Sequence, residues 1–136
     1  IGRVGFLMIK NGILHPQLAS LLARFRHVNA IAIVDGPFPT YPNVETIELA
    51  ITMGWPTIPQ VLDEILPYLD VTSLIIANEF EEKVDKQITQ RYITHHKNIP
   101  TTKIAHSDFK VQVGQCLGII HTGDGVPYSS VILKSG

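Results

Sequence analysis

Two rhythms of apolar and polar residues run along this chain. Leu18, Leu21, Leu22 and Phe25 recur at i, i+3, i+4 and i+7, the apolar stripe of an amphipathic helix. Pro16 can take the first position of that helix, where a missing N–H costs nothing, and His15 then falls at the N-cap. Ile58, Val61, Leu62, Ile65 and Leu69 share the spacing and predict a second helix over about 58–69. Phe80 to Ile93 is charged and loosely amphipathic, which reads as a surface helix, and Ser107 to Val113 reads as a short one. The other rhythm is the unbroken apolar run: 30–34, 73–77, 117–120 and 131–133, with a shorter piece at 103–105. Runs without alternation fit strands buried on both faces. Thr46 to Met53 fits a short helix or a short strand equally well. Asp35-Gly36-Pro37-Phe38-Pro39 and Gly54-Trp55-Pro56 can continue neither element.

Strands alternating with helices predict a single α/β domain over 1–136, three layers deep, with a mostly parallel central sheet. The last two strands are joined by residues 121–130 with no helix between them. That favours an antiparallel strand near the C-terminus, paired at the end of the sheet. Met8-Ile9-Lys10-Asn11-Gly12 has the form of a natural start, so Ile1 to Leu7 is expected to be an appended segment and enters no functional reading.

Composition removes several function classes. The net charge is −1 and no basic stripe interleaves with aromatics, so no nucleic-acid footprint is present. The apolar runs fall far short of the roughly 20 residues that a membrane-spanning helix needs. Cys116 is alone and runs into an apolar strand, which predicts a reduced, buried thiol and not a nucleophile. With no secretory signal pattern, a cytoplasmic location is expected. No His pair or Cys pair has metal-ligand spacing, and the Gly123-Asp124-Gly125 loop matches neither a P-loop nor a dinucleotide fingerprint. The chain predicts no metal and no cofactor.

Polar residues gather where strands end. Asp35 follows Val34, Asn78-Glu79 follows Ala77, and His106 follows Ala105. Ligands of open α/β sheets bind at the carboxyl ends of parallel strands. The last loop adds Tyr128, Ser129 and Ser130, more hydroxyls than a simple reversal needs. Each residue has a plainer reading: His27 as a helix cap, Asp35 and His106 as turn residues, His95-His96 as a solvated helix end. Together, His, Asp, Tyr and Ser suit a neutral, hydroxyl-rich ligand, because each sugar hydroxyl both donates and accepts.

The order of short motifs resembles the D-ribose pyranase and L-fucose mutarotase family. Asn11-Gly12-Ile13-Leu14 is similar to its opening, Arg26-His27-Val28-Asn29 to a Gly-His-x-Asp signature, and Ile33-Val34-Asp35-Gly36-Pro37-Phe38-Pro39 to a strand ending in Asp-Ala-Gly-x-Pro. Ala105-His106-Ser107-Asp108-Phe109-Lys110 resembles a His-Glu-x-Phe-Lys segment. Gly123-Asp124 through Pro127-Tyr128-Ser129-Ser130-Val131-Ile132-Leu133 resembles the family's ending. The resemblance implies His27 as proton donor and Asp35, His106, Tyr128, Ser129 and Ser130 as sugar contacts, with Lys110 as an additional one. It also implies free D-ribose as substrate, interconverted between pyranose and furanose without a cofactor, and assembly into a pentameric ring or a decamer with the site between subunits. Fucose or another sugar, or sugar binding without turnover, stays open beside it. Arg26 stands where Gly is usual, Asn29 where Asp is usual, Pro37 where Gly or His is usual, and Ser130 where Asn is usual.

Overall fold

In the computed structural model, whose described residues are 9–136, six strands form one mixed sheet between two layers of helices and loops. The expected start at Met8 and the segment Ile1–Leu7 lie outside the described residues. In chain order the elements are α1 (Pro16–Ala23), β1 (Ala30–Val34), β2 (Thr46–Glu48), α2 (Ile58–Ile65), β3 (Ser73–Ala77), α3 (Asn78–Lys83), α4 (Lys86–Thr94), β4 (Thr101–Ile104), α5 (His106–Val113), β5 (Gly118–His121) and β6 (Val131–Lys134). Across the sheet the strands run β2-β5-β1-β6-β3-β4. β6 is antiparallel to both its neighbours, and the other pairings are parallel.

The apolar runs become strands because both faces are covered. Ile31 and Ile33 point to one side, against Leu18 and Leu21 of α1, Val61 and Leu62 of α2, Phe80 of α3 and Tyr92 of α4. Ala32 and Val34 point to the other, against Phe38, Phe109, Val113 and Cys116. All of these side chains are buried. At about 25 cal/mol per Å² of apolar surface removed from water, this two-sided burial dominates the fold's stability.

Capping follows the side chains at hand. His15 caps α1 through Nδ1, which accepts from the Leu18 amide at 3.1 Å. Thr57 and Gln60 form a reciprocal capping box on α2. The predicted helix over 58–69 ends at Ile65, with Leu66–Tyr68 continuing as a 3₁₀ turn. The predicted surface helix over 80–93 is two helices, because Asp85 turns its carboxylate onto the Gln87 amide and caps a new start. Of the ambiguous stretch 46–53, only Thr46–Glu48 is a strand. His96 is not solvated. It is 4% exposed, and burial, followed by the neighbouring His95, pushes its pKa down to about 4.

The expected position of the antiparallel strand needs correcting. β6 does not pair with β5 at the end of the sheet; it is inserted between β1 and β3 in the middle. In the register, Val131 lies beside both Ile33 and Ile76. The amino end of β6 therefore meets the carboxyl ends of β1 and β3, and the loop before it is delivered to that edge.

Candidate functional site at the carboxyl edge

Three polar groups that lie far apart in sequence now share one edge. Asp35 leaves β1, Ser130 enters β6 and Asn78 leaves β3, on adjacent strands roughly 5 Å apart. His106 leaves β4 as the first residue of α5. Asp35 and Ser130 touch directly: the Asp35 amide donates to Ser130 Oγ at 3.0 Å, and Ser130 Oγ donates to Asp35 Oδ2 at 3.3 Å. Both residues are buried. Burial pushes the Asp35 pKa up to about 6, against the opposing Ser130 hydrogen bond and with help from the charge of Asp124.

His106 and Tyr128 form the second half of this edge. Their rings meet edge to face, with centroids 4.9 Å apart, and Phe38 packs edge-on to the imidazole at 6.0 Å. Tyr128 has φ 61°, a left-handed backbone conformation uncommon for a residue with a side chain. The Glu79 carboxylate accepts from the His106 amide at 3.0 Å and so caps α5 from another element. Burial, then the charge of Lys110 one helical turn away, lowers the His106 pKa. A neutral imidazole has one donor and one acceptor, the pairing that a hydroxyl needs. Lys83 Nζ stands 5.9 Å from the Tyr128 ring centroid.

Ser129 is present but occupied, its hydroxyl donating to the Val126 carbonyl at 2.7 Å within the same loop. His27 is elsewhere. It precedes β1, and the strand alone spans roughly 16 Å at about 3.3 Å per residue. The structure thus pairs Asp35 with Ser130 and His106 with Tyr128 along one edge, with Lys110 one turn further along α5 and Ser129 turned into its own loop, and leaves His27 at the opposite edge. The His27 turn is firmly held. The Val28 amide donates to the Ser135 carbonyl, Ser135 Oγ donates to the Arg26 carbonyl, and Asn29 Oδ1 accepts from the Arg26 amide at 2.8 Å. The last bond uses an oxygen that Asn and Asp both possess, so Asn29 keeps the turn that a carboxylate would make. His27 is exposed and lines a cleft of about 530 Å³ with Tyr68, Asp70, Thr72 and Gly136. A cleft of about 600 Å³ lined by Leu14, Ile51 and Trp55 contains none of these candidate residues.

Lys83 beside Tyr128 was not singled out from the sequence, and Glu79 and Asp124 were marked only by position, Glu79 at a strand end and Asp124 in the last loop, without their roles as cap of α5 and as buried carboxylate. Glu79 follows a strand end, a position that carried a signal. Lys83 and Asp124 are meaningful only once the packing is known. Among the described residues no group of three or more His, Cys, Asp or Glu could hold a metal ion. Cys116 is buried, and burial pushes its thiol up to about 12. No described helix is long and apolar enough to cross a membrane.

Comparison with known proteins places this geometry in context. The model of the RbsD / FucU transport protein family matches residues 8–136. A D-ribose pyranase of Thermosipho africanus is 37% identical over 132 residues, covering 95% of this chain and 98% of that protein. A D-ribose pyranase of Geobacillus thermodenitrificans is 34% identical over 130 residues, covering 95% and 97%. Among solved structures, Bacillus subtilis RbsD complexed with D-ribose superposes with a TM-score of 0.86 at 26% identity, covering 95% of this chain and 98% of that one. The fucose mutarotase of Streptococcus pneumoniae in complex with L-fucose has the same fold, with a TM-score of 0.72 at 23% identity over 90% and 93%.

Proposed function

The chain belongs to the RbsD / FucU family, and from that premise we propose that it is a sugar mutarotase, an isomerase that interconverts the pyranose and furanose forms of free D-ribose. The observation that carries this reading is the convergence of Asp35, Ser130, Tyr128 and His106 from separate elements onto one sheet edge. The choice of ribose over fucose rests on the relatives at 30–37% identity named D-ribose pyranase.

Opening a cyclic hemiacetal requires a proton on the ring oxygen and loss of one from the anomeric hydroxyl. The open aldehyde then recloses through a different hydroxyl. Both transfers are acid–base steps and call for no cofactor. His27 is the proton donor in this proposal. Asp35, with a pKa of about 6, is mostly carboxylate at neutral pH and basic enough to take the anomeric proton. Tyr128, Ser130 and neutral His106 hold the hydroxyls, Lys110 adds a charged donor beside His106, and Ser129 stiffens the loop. A positioned acid or base contributes roughly 10²–10⁴-fold.

His27 and Asp35 occupy opposite edges, so one sugar cannot touch both within a single chain. We place His27 of one subunit against the carboxyl edge of the next, in a homo-oligomer such as a pentameric ring or a decamer. Exposed apolar residues flank both halves. Val28, 71% exposed, adjoins His27, and Met53 and Trp55, 69% and 53% exposed, sit on the hairpin bonded to Gly123. Such patches mark association surfaces. The cytoplasm, where free monosaccharide enters metabolism, is the compartment that fits this activity.

Exchange NMR on D-ribose at equilibrium, with L-fucose in parallel, tests the function. Faster pyranose–furanose exchange on ribose is expected. Acceleration of fucose anomer exchange alone would transfer the protein to the other branch, and acceleration of neither would refute the proposal.

A further inference from the structure

We propose that Asp124 is the positioning residue of the sugar site, setting the geometry between the Asp35 turn and the loop that carries Tyr128 and Ser130. The inference rests on the functional reading above and extends it to a residue that touches no substrate.

Asp124 is fully buried, with no exposed surface. Its carboxylate has no cation as partner among the described residues and is held by neutral donors from three places. Oδ2 accepts from the Ile58 amide, at the start of α2, at 2.8 Å. The Tyr92 hydroxyl of α4 donates to Oδ2 at 2.8 Å and also lies 3.0 Å from Oδ1. Oδ1 accepts from the Val126 amide at 2.8 Å. The backbone is engaged as well: the Gly36 amide donates to the Asp124 carbonyl at 2.8 Å, and the Asp124 amide donates to Thr122 Oγ1 at 3.2 Å. Thr122 Oγ1 in turn donates to the Val34 carbonyl at 2.8 Å.

Burying a carboxylate without a counterion is costly unless its hydrogen bonds are complete. A loop that only reversed the chain would have no need of one. What this carboxylate fixes is specific. Gly36 is the neighbour of Asp35, and Val126 stands two residues before Tyr128. A side chain at Gly36 would place its Cβ 3.3 Å from the Asp124 carbonyl, so the two segments are in close contact there. Asp124 thus ties the Asp35 turn and the last loop to each other and anchors both to α2 and α4. The groups whose charges face Asp35 are Asp124 and His121, and removing the first changes the field at the Asp35 carboxylate.

The test uses Tyr92→Phe and Asp124→Asn in the full chain, with ribose exchange kinetics measured across pH and melting recorded in parallel. Misplacing a reacting group by about 1 Å can cost about 10²-fold. Asp124→Asn is expected to lose about that much in kcat/KM, with KM rising as Tyr128 and Ser130 shift. The acidic limb of its profile should move to lower pH as Asp35 loses a neighbouring negative charge. Tyr92→Phe keeps the carboxylate and should lose about tenfold in kcat/KM, with the acidic limb in place. Folded variants with wild-type KM and an unmoved acidic limb, altered only in melting temperature, would reduce Asp124 to a structural carboxylate. If Asp124→Asn does not fold, Tyr92→Phe decides alone, and wild-type kcat/KM in that variant overturns the proposal. A wild-type protein that accelerates no sugar overturns the functional reading, and this proposal with it.

Discussion

A carboxylate in a buried turn with a single hydroxyl as its hydrogen-bond partner is not easily ionised, because burial disfavours the charge. Asp35 has a pKa of about 6, above the usual carboxylate value near 3.9. Its contribution to stability is therefore fully present below about pH 4 and is lost as pH rises through about 6. At neutral pH the folded protein carries a charge that it would be more stable without, at a cost of about 1–3 kcal/mol. Asp35→Asn is expected to melt above the wild type at pH 7.5, with the gain shrinking toward pH 4.5, while ribose exchange is abolished. Calorimetric melting at the two pH values checks the first part and exchange NMR the second. An Asp35→Asn variant less stable than the wild type at pH 7.5 would contradict this account of Asp35.

Between elements, a histidine joins the strands under the site to the Asp35 turn. His121 ends β5, with Nδ1 2.5 Å from Glu48 Oε1 on β2 and Nε2 2.9 Å from the Gly36 carbonyl oxygen. Neither oxygen can donate, so both contacts are satisfied only when both ring nitrogens carry protons. Burial acts to lower the pKa, but the Gly36 carbonyl and the Glu48 carboxylate outweigh it and raise the value above the ordinary histidine range. This clamp stabilises the fold fully below about pH 6.5 and is lost as pH rises through the higher folded-state value. The melting temperature of the wild type should exceed that of His121→Ala by more at pH 6 than at pH 9; an equal difference at both would mean that the ring packs without its second proton. Element identity was largely legible in the chain. The runs Ala30–Val34 and Ser73–Ala77 are buried on both faces and carry that pattern openly, and the stripe from Leu18 to Leu22 does the same for α1. The break at Val84–Asp85 was missed because a capping aspartate inside a charged stretch looks like any surface residue. The central place of β6 was not legible, since local pattern shows that a strand is buried but not which strands flank it.

In the whole molecule, the insertion of β6 assembles the carboxyl edge, because it turns a C-terminal loop toward the ends of β1 and β3. The sequence placed Asp35 and His106 at strand ends, and their convergence follows from the parallel order of those strands. It could not show that Ser130 would bond to Asp35 across 95 residues, or that Asp124 would be buried beneath them. The opposite placement of His27 and Asp35 was legible, since one strand separates them, and the structure retains it. Under the proposed function, that separation requires a site shared between two subunits. The direct measurement is ribose exchange NMR on His27→Ala, on Asp35→Asn, and on the two variants unfolded and refolded together. Each variant alone should be inactive, and the mixture should regain a substantial fraction of wild-type exchange, because some interfaces then pair an intact His27 with an intact Asp35. Mixed oligomers that remain as inactive as either parent, where refolded wild type recovers its exchange, would contradict a site built from two subunits.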